Sequence, residues 1–484
     1  MSQHSLQADT AGANRIRQSR VISSINNFVE SPWFIGLVCL MTAICNVFGA
    51  ELYYYPLQIL FGIYIVLFGR DFLPCMSIVI LCYIAPSVQN NPGHNENSIF
   101  YPENGGIFLV VCFLLFVIAA TIRLITDKEL GGKRFFRHKR KLGLGMAILG
   151  GAYLLAGAFS GRYFENGFHN PIFALIQFIS IFAFYWFFCG TVKWEQVNPH
   201  YFAWVGLGVG LTVCAEIIGI FVTNDVIANN EIQPKLIASG WGNANNIGCM
   251  VSMMIPLAVG LARYTKKSWI FNFLAFAMLL ITCLTCSRTA IGAGVILYIA
   301  SMIPSLRDKN QRKQVLLFNA LALLLSIGLF ILFKGYLDRL FTELRNRGFN
   351  PRMREEIYPE GFRTFLKNPV FGEGFYPSTD KIYEWSSSEK FKAFFPARWH
   401  NTVIQLLACC GIVGLLSYGF HRFQTLRIFW KKRKTPILYV GLSVMSLLLM
   451  SLLDCHFFNI GPTLFYSMAL AFAEQTEYKN NRHE

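Results

Sequence analysis

Acidic residues are scarce in this chain, and the spacings that would let it grip a metal are missing. Asp and Glu number 27 of 484 residues against 43 Lys and Arg, and charged residues make up only 14%. There is no Asp-x-Asp pair, and no CxxC stands beside a His-x-x-x-His. Neither a divalent-ion nor a zinc ligand set is spelled out, so no metal and no cofactor is expected. Of the 13 cysteines, Cys39, Cys45, Cys112, Cys189, Cys409 and Cys410 fall inside apolar runs, where a thiol behaves as a small hydrophobe. Cys283 and Cys286 form a lone CxxC that reads as packing on one helix face. No repeat period is evident, which argues against an inverted-repeat transporter. No small-residue cleavage site follows the first apolar run, so a removable signal peptide is not expected.

Apolar residues are what the chain has in excess: 54% are hydrophobic and 15% aromatic, with a mean hydropathy of +0.43. A soluble enzyme of this length rarely sustains that. The basic residues fall in short clusters between apolar runs, a topology signal rather than a nucleic-acid-binding face. No nucleic-acid partner is expected. Windows of about 17–20 apolar residues suffice to cross the hydrocarbon core. They begin near residues 33, 52, 72, 107, 142, 171, 202, 247, 269, 289, 315, 400, 436 and 460. The third and last are short or polar-flanked. The expected fold is therefore all-α: a polytopic integral membrane protein with about 12–14 transmembrane helices, residues 1–484 forming a single transmembrane domain.

The loops give the orientation. Arg15, Arg17 and Arg20 precede the first window, and Arg123, Lys128, Lys133, Arg134, Arg137, Lys139, Arg140 and Lys141 follow the fourth. Lys266 and Lys267, then Arg307, Lys309, Arg312 and Lys313, then Lys431 to Lys434 mark later loops of the same parity. The alternate loops are poor in Lys and Arg. The positive-inside rule then puts both termini in the cytoplasm. It also puts Lys334–Trp399 outside, as one large extracytoplasmic loop (334–399) between the third- and fourth-last helices. A loop of that length largely escapes the charge rule, so its Arg339, Arg345, Arg347, Arg352 and Arg354 do not contradict the assignment.

Three helix starts face the same outer side: Asn243-Ala244-Asn245-Asn246, Ser287-Arg288-Thr289 and His400-Asn401-Thr402. Free N–H groups and the positive end of the helix dipole point outward at each. Packed side by side, they would make an anion site to which Arg288 adds a two-bond fork suited to phosphate. The plainer reading is that Asn and Ser cap helices and Arg288 sits at the interface. His400 has the same two readings, structural hydrogen-bonder or proton acceptor. Ala408, Gly411, Gly414 and Ser417 recur at steps of three, a small-residue seam for close helix packing. Glu216 is a carboxylate inside the seventh window, as a transporter or flippase of lipid-linked sugars would have. Asp454 and His456 fit either class.

His400-Asn401-x9-Gly411-x-x-Gly414 directly after a long outer loop resembles the signature of the O-antigen ligase and O-antigen polymerase superfamily. Cys286-Ser287-Arg288-Thr289-Ala290 is similar to that family's earlier Arg-bearing helix start. Arg354-Glu355-Glu356-Ile357-Tyr358, followed by Asn368-Pro369-Val370-Phe371-Gly372-Glu373-Gly374-Phe375, is similar to its loop pattern. The resemblance covers roughly Asn243 to Ser417. The family commonly has Trp where Tyr358 stands, and Arg352 competes with Arg354 for the loop-arginine role.

The resemblance implies a bacterial inner-membrane glycosyltransferase that needs no metal and acts on the periplasmic or extracellular side. It would move a glycan from an undecaprenyl-diphosphate-linked donor to a hydroxyl of a glycan or glycolipid acceptor. It further implies that Arg288 and Arg354 or Arg352 bind the diphosphate with Asn245 and Asn401, and that His400 is the base of an inverting displacement. Glu355, Glu356 and Glu360 are alternative bases, weakened by the neighbouring arginines. A peptidoglycan-type polymerase is a third reading. Ligase and polymerase share the donor and differ in the acceptor, and the oligomeric state is open.

Overall fold

The computed structural model describes residues 20–48, 50–84, 106–127, 130, 140–161, 163–164, 168–223, 244–266, 268–332, 334–335, 338, 342, 351–376 and 398–477. Arg339, Arg345, Arg347 and Asn243 lie outside them. Among the described residues every regular element is helical and no strand occurs.

Helices α1 (Arg20–Val29) and α2 (Pro32–Phe48) meet at a bend of 67°. Next come α3 (Glu51–Phe68), α4 (Cys75–Ile84), α5 (Gly106–Thr126) and α6 (Gly143–Leu154). Helix α7 (His169–Thr191) contains a π turn at Ile179–Ala183. It is followed by α8 (Tyr201–Thr223), α9 (Ala244–Tyr264), α10 (Ser268–Leu284), α11 (Arg288–Arg307) and α12 (Lys309–Leu332). Helix α13 (Pro351–Lys367) lies within the long polar segment, ahead of α14 (Thr402–Lys431), α15 (Ile437–Ser451) and α16 (Ile460–Gln475). From α2 onward, every helix except α13 coincides with an apolar window. Six of them, α7, α8, α9, α11, α12 and α14, are singly long and apolar enough to cross a membrane, and the bent α1–α2 pair makes up to seven. The remaining windows hold shorter apolar helices. The protein is a polytopic, all-helical membrane protein.

Helix α9 is the centre of the bundle, with 89% of its spanning window buried, against 11% for α12. Small residues let its neighbours come close: Gly248 faces Ala290 of α11, and Gly260 faces Tyr439 of α15. Helix α12 instead exposes Leu316, Leu317, Leu321, Leu323, Leu324 and Leu325, a surface suited to lipid tails. Basic groups collect at the end away from the start of α14. There Lys432 Nζ donates to the carbonyls of Ala473, Glu474 and Thr476, a cation at a helix C-terminus as the dipole favours. Glu474 accepts from the N–H groups of Lys141 and Leu142 at the start of α6.

Helix α14 is not continuous. Gly411 has φ 62° and ψ −159°, a region open essentially to glycine alone. The broken backbone bonds are taken up by the turn after α13. Glu373 and Gly374 donate N–H to the carbonyls of Ala408 (2.9 Å) and Cys409 (3.1 Å), while Ile412 and Val413 donate to those of Pro369 (2.9 Å) and Val370 (3.2 Å). A Cβ on Gly411 would lie 2.3 Å from the Val370 oxygen. The close approach at Gly411 is thus made by the backbone of a loop, whereas the spacing of small residues suggests a second helix. Gly414 packs against Cys410 of its own helix, just across the break. The turn is held from its other side as well. Gly157 N–H donates to the Phe371 carbonyl (3.0 Å), Asn368 Nδ2 to that of Ala158 (3.0 Å), and Phe375 N–H to Asn170 Oδ1 (2.6 Å).

Gly411→Ala is expected to destabilise the protein by more than about 1 kcal/mol, because alanine cannot hold that conformation and its methyl meets the loop. Gly292, with nothing within 4 Å of a Cβ, is the control, since alanine there should be neutral or gain up to about 1 kcal/mol. Thermal unfolding in nanodiscs compares the two. Equal melting of both variants contradicts the account of the break.

Candidate functional site

The chain enters α14 through a tightly held segment. Trp399 is fully buried, and its N–H donates to Gln405 Oε1 (2.9 Å). His400 follows with φ 48°, a left-handed conformation that costs about 1–3 kcal/mol for a residue with a side chain. Asn401 then caps the helix: its Oδ1 accepts from the N–H groups of Val403 (2.8 Å) and Ile404 (3.2 Å). Its Nδ2 donates to the Leu452 carbonyl (2.8 Å), tying α14 to the end of α15. From α13, the Tyr358 hydroxyl donates to the His400 carbonyl (3.2 Å). The strained residue is pinned on both sides, and the pins set the direction of its ring.

That ring meets Asp454, in the connection between α15 and α16. His400 Nδ1 lies 3.1 Å from Asp454 Oδ1; the imidazole is 33% exposed and the carboxylate 7%. A carboxylate accepts only, so Nδ1 carries the proton and Nε2 presents its lone pair elsewhere. Asp454 is itself held. Its Oδ1 accepts from Cys455 N–H (2.7 Å), its Oδ2 from Asn245 Nδ2 (3.2 Å), and its carbonyl from Thr402 Oγ1 (3.3 Å). Burial alone would raise its pKa. The imidazoles of His456 and His400 and the Cys455 N–H outweigh that, and the carboxyl stays well below the usual range.

His456 completes the group. Fully buried, it has Nε2 at 3.9 Å from Asp454 Oδ2 and Nδ1 at 2.9 Å from Asn246 Oδ1. Burial holds this ring below the ordinary imidazole range and leaves it neutral. Arg398, two residues before His400, is half-buried and near enough for its charge to act on His456 and Cys455.

The three helix starts do come together. Asn245 at the start of α9 bonds Asp454, Asp454 bonds His400 at the start of α14, and Gly248 packs against Ser287 and Ala290 at the start of α11. Ser287 caps α11 by accepting from Ala290 N–H (3.4 Å). Arg288 follows as its first, exposed residue. Cys286, just before the cap, is another non-glycine residue at positive φ (52°). Asn245 Nδ2 donates to the Asp454 carboxylate, and the Asn401 amide makes the cap of α14 and the bond to Leu452. Arg352 and Arg354 fall in the first turn of α13, but their side chains lie outside the described residues. Among the alternative bases, Glu360 pairs with Arg363 (3.5 Å), Glu355 is exposed, and the Glu356 side chain is not described. Among the described residues no group of three or more His, Cys, Asp or Glu is arranged to hold a metal ion.

Sequence reasoning left Asp454 and His456 without a role and passed over Arg398. The available signal was a lone carboxylate and imidazole in the polar gap between two apolar windows, 54 residues beyond His400. Nothing local joins the two.

Residues 248–419 match the family model described as O-antigen ligase. The match runs from the first turn of α9 into α14 and takes in Arg288, the turn at 368–375, His400 and Gly411. It stops before Asp454 and His456. No curated protein matches the chain significantly. Over residues 248–419, about a third of its length, this polytopic membrane protein is similar to the O-antigen ligase family.

Proposed function

We propose that this membrane protein moves a glycan from undecaprenyl diphosphate to an acceptor hydroxyl on the outer face of the bacterial inner membrane. The observation that carries the reading is the His400–Asp454 pair, set where three helix starts converge. An O-antigen ligase domain supports glycosyltransferase activity with a lipid-linked glycan at the bilayer. The His–carboxylate pair supplies the base that such a transfer needs. The basic ends of the bundle lie opposite this site, and the positive-inside rule assigns them to the cytoplasm.

The geometry supports the following chemistry. His400 Nε2 takes the proton of the acceptor hydroxyl, and the oxygen's freed electron pair attacks the anomeric carbon. The bond from that carbon to the diphosphate breaks on the opposite face, so the configuration inverts. Asp454 stabilises the imidazolium that forms and keeps its ring aimed. The departing diphosphate gains negative charge, which Arg288 and the N-terminus of α11 balance by bidentate hydrogen bonds and the helix dipole. Arg398 and either Arg352 or Arg354 add positive charge to the same face. No step calls on a metal ion.

Three variants test this in membranes of a strain lacking the endogenous gene, with transfer read from the glycan profile. His400→Ala should reduce transfer at least about a hundredfold while the protein still inserts; near-normal transfer removes His400 from the role of base. Asp454→Asn, which keeps the shape but loses the charge, should cost at least about tenfold. Arg288→Lys should also impair turnover because an ammonium cannot form the two-bond fork. Full activity with lysine contradicts bidentate clamping.

A further inference from the structure

The His456 ring sits in a buried polar cluster that the proposed transfer does not use, and one of its nitrogens has no hydrogen-bond partner. Nε2 is completely enclosed and unbonded, while Nδ1 lies 2.9 Å from Asn246 Oδ1. Asn459 Nδ2 is placed 2.5 Å from that same oxygen. If Nδ1 donates to Asn246, Nε2 keeps a lone pair that faces the Asp454 carboxylate at 3.9 Å. Two electron-rich groups then oppose each other in a dry interior, where an unsatisfied polar atom is costly and the repulsion is weakly screened.

The opposite proton placement removes the conflict. Oxygen and nitrogen of a side-chain amide are assigned from the bonding network. With Asn246 and Asn459 both turned over, the Asn246 amide nitrogen donates one hydrogen to His456 Nδ1 and the other to Asn459 Oδ1. Both contacts survive with donor and acceptor exchanged. Nε2 then carries the ring proton and directs it at Asp454 Oδ2.

We infer that His456 is a positioning residue. It holds the Nε2–H dipole toward Asp454 Oδ2 across 3.9 Å, which favours the carboxylate orientation that keeps its other oxygen on His400 Nδ1 at 3.1 Å. The inference rests on the reading of His400 as the base. His456 exchanges no proton in the reaction: the acceptor's proton goes to His400 Nε2, and Asp454 stays ionised. The arrangement also gives the start of α9 a task, since Asn245 holds the carboxylate directly and Asn246 sets the tautomer of the ring behind it. Groups that orient a metal's ligands from behind are worth about tenfold to a hundredfold, and the same order is expected for one that orients the carboxylate beside the base.

The proton placement is tested by nitrogen-15 magic-angle-spinning NMR of the full-length protein in lipid, labelled on histidine and compared with His456→Gln. The resonances lost on substitution should belong to a neutral ring with Nε2 protonated and Nδ1 bare. A lost ring protonated on Nδ1, or on both nitrogens, overturns the inference. The positioning role is tested in proteoliposomes, with the polyprenyl-diphosphate-linked glycan extracted from a deletion strain as donor. His456→Leu should lower kcat about tenfold to a hundredfold with KM for the donor unchanged, and His456→Gln, which returns a donor to the same point, should restore most of it. Added to Asp454→Asn, the leucine should cause no further loss, as for groups that act as one unit. Unimpaired turnover of the leucine variant, a glutamine variant as poor as leucine, or additive losses in the double variant each overturn the role. If His400→Ala keeps its transfer activity, the base assignment fails, and the NMR result still decides the proton on His456.

Discussion

A lipid bilayer offers no water to a broken helix, so every freed N–H and carbonyl must find a partner inside the protein. That constraint organises this molecule at Gly411. The helix carrying His400 opens there, and the turn at 369–374 supplies the missing donors and acceptors. The same turn is anchored to the end of α6 and to Asn170 of α7, so the break joins three parts of the bundle. Helix α13 leads directly into the turn and brings the Tyr358 hydroxyl to the His400 carbonyl. Glycines at 372 and 374, both at positive φ, let the two backbones approach closely. A helix defect and a loop thus repair each other, and the upper half of α14 is held at an angle that a continuous rod would not take.

Of the four non-glycine residues at positive φ among the described residues, two lie where the chemistry is proposed. His400 and Cys286 adopt positive φ immediately before the caps of α14 and α11. Each is followed by a side chain that satisfies the first free N–H groups of its helix. Such conformations persist only where surrounding contacts over-determine them. Around His400 those contacts are the buried Trp399, the Asn401 cap and the hydroxyl of Tyr358. Their combined effect is to turn Nδ1 onto Asp454 and leave Nε2 directed away from the carboxylate. The hydroxyl of Tyr358 has a definite hydrogen-bonding partner in the structure, the His400 carbonyl.

Much of this architecture is legible in the sequence, because hydropathy and helix length are local properties. Every apolar window coincides with a helix, and the Asn–Ser–His helix starts can be picked out from capping chemistry alone. Two features are not legible. The repeat of Ala408, Gly411, Gly414 and Ser417 has the spacing of a packing seam, and only the backbone shows that Gly411 marks a break paired with residues about 40 positions earlier. Asp454 is equally hidden, since its importance comes from a partner in a different helix. A carboxylate between two apolar windows signals an unusual site but does not say which imidazole it serves. The bond from Asn245 to that carboxylate is hidden for the same reason.

The central claim is that His400, oriented by Asp454, and Arg288 act on one lipid-linked diphosphate outside the cytoplasm. The most direct measurement is electron cryomicroscopy of the protein in nanodiscs with a phosphonate analogue of a prenyl-diphosphate-linked sugar. The account predicts density for the two phosphorus centres at the start of α11 within reach of Arg288, with the anomeric carbon facing the Nε2 side of His400. Density at the basic end of the bundle, or within the bundle beside Glu216, would contradict it.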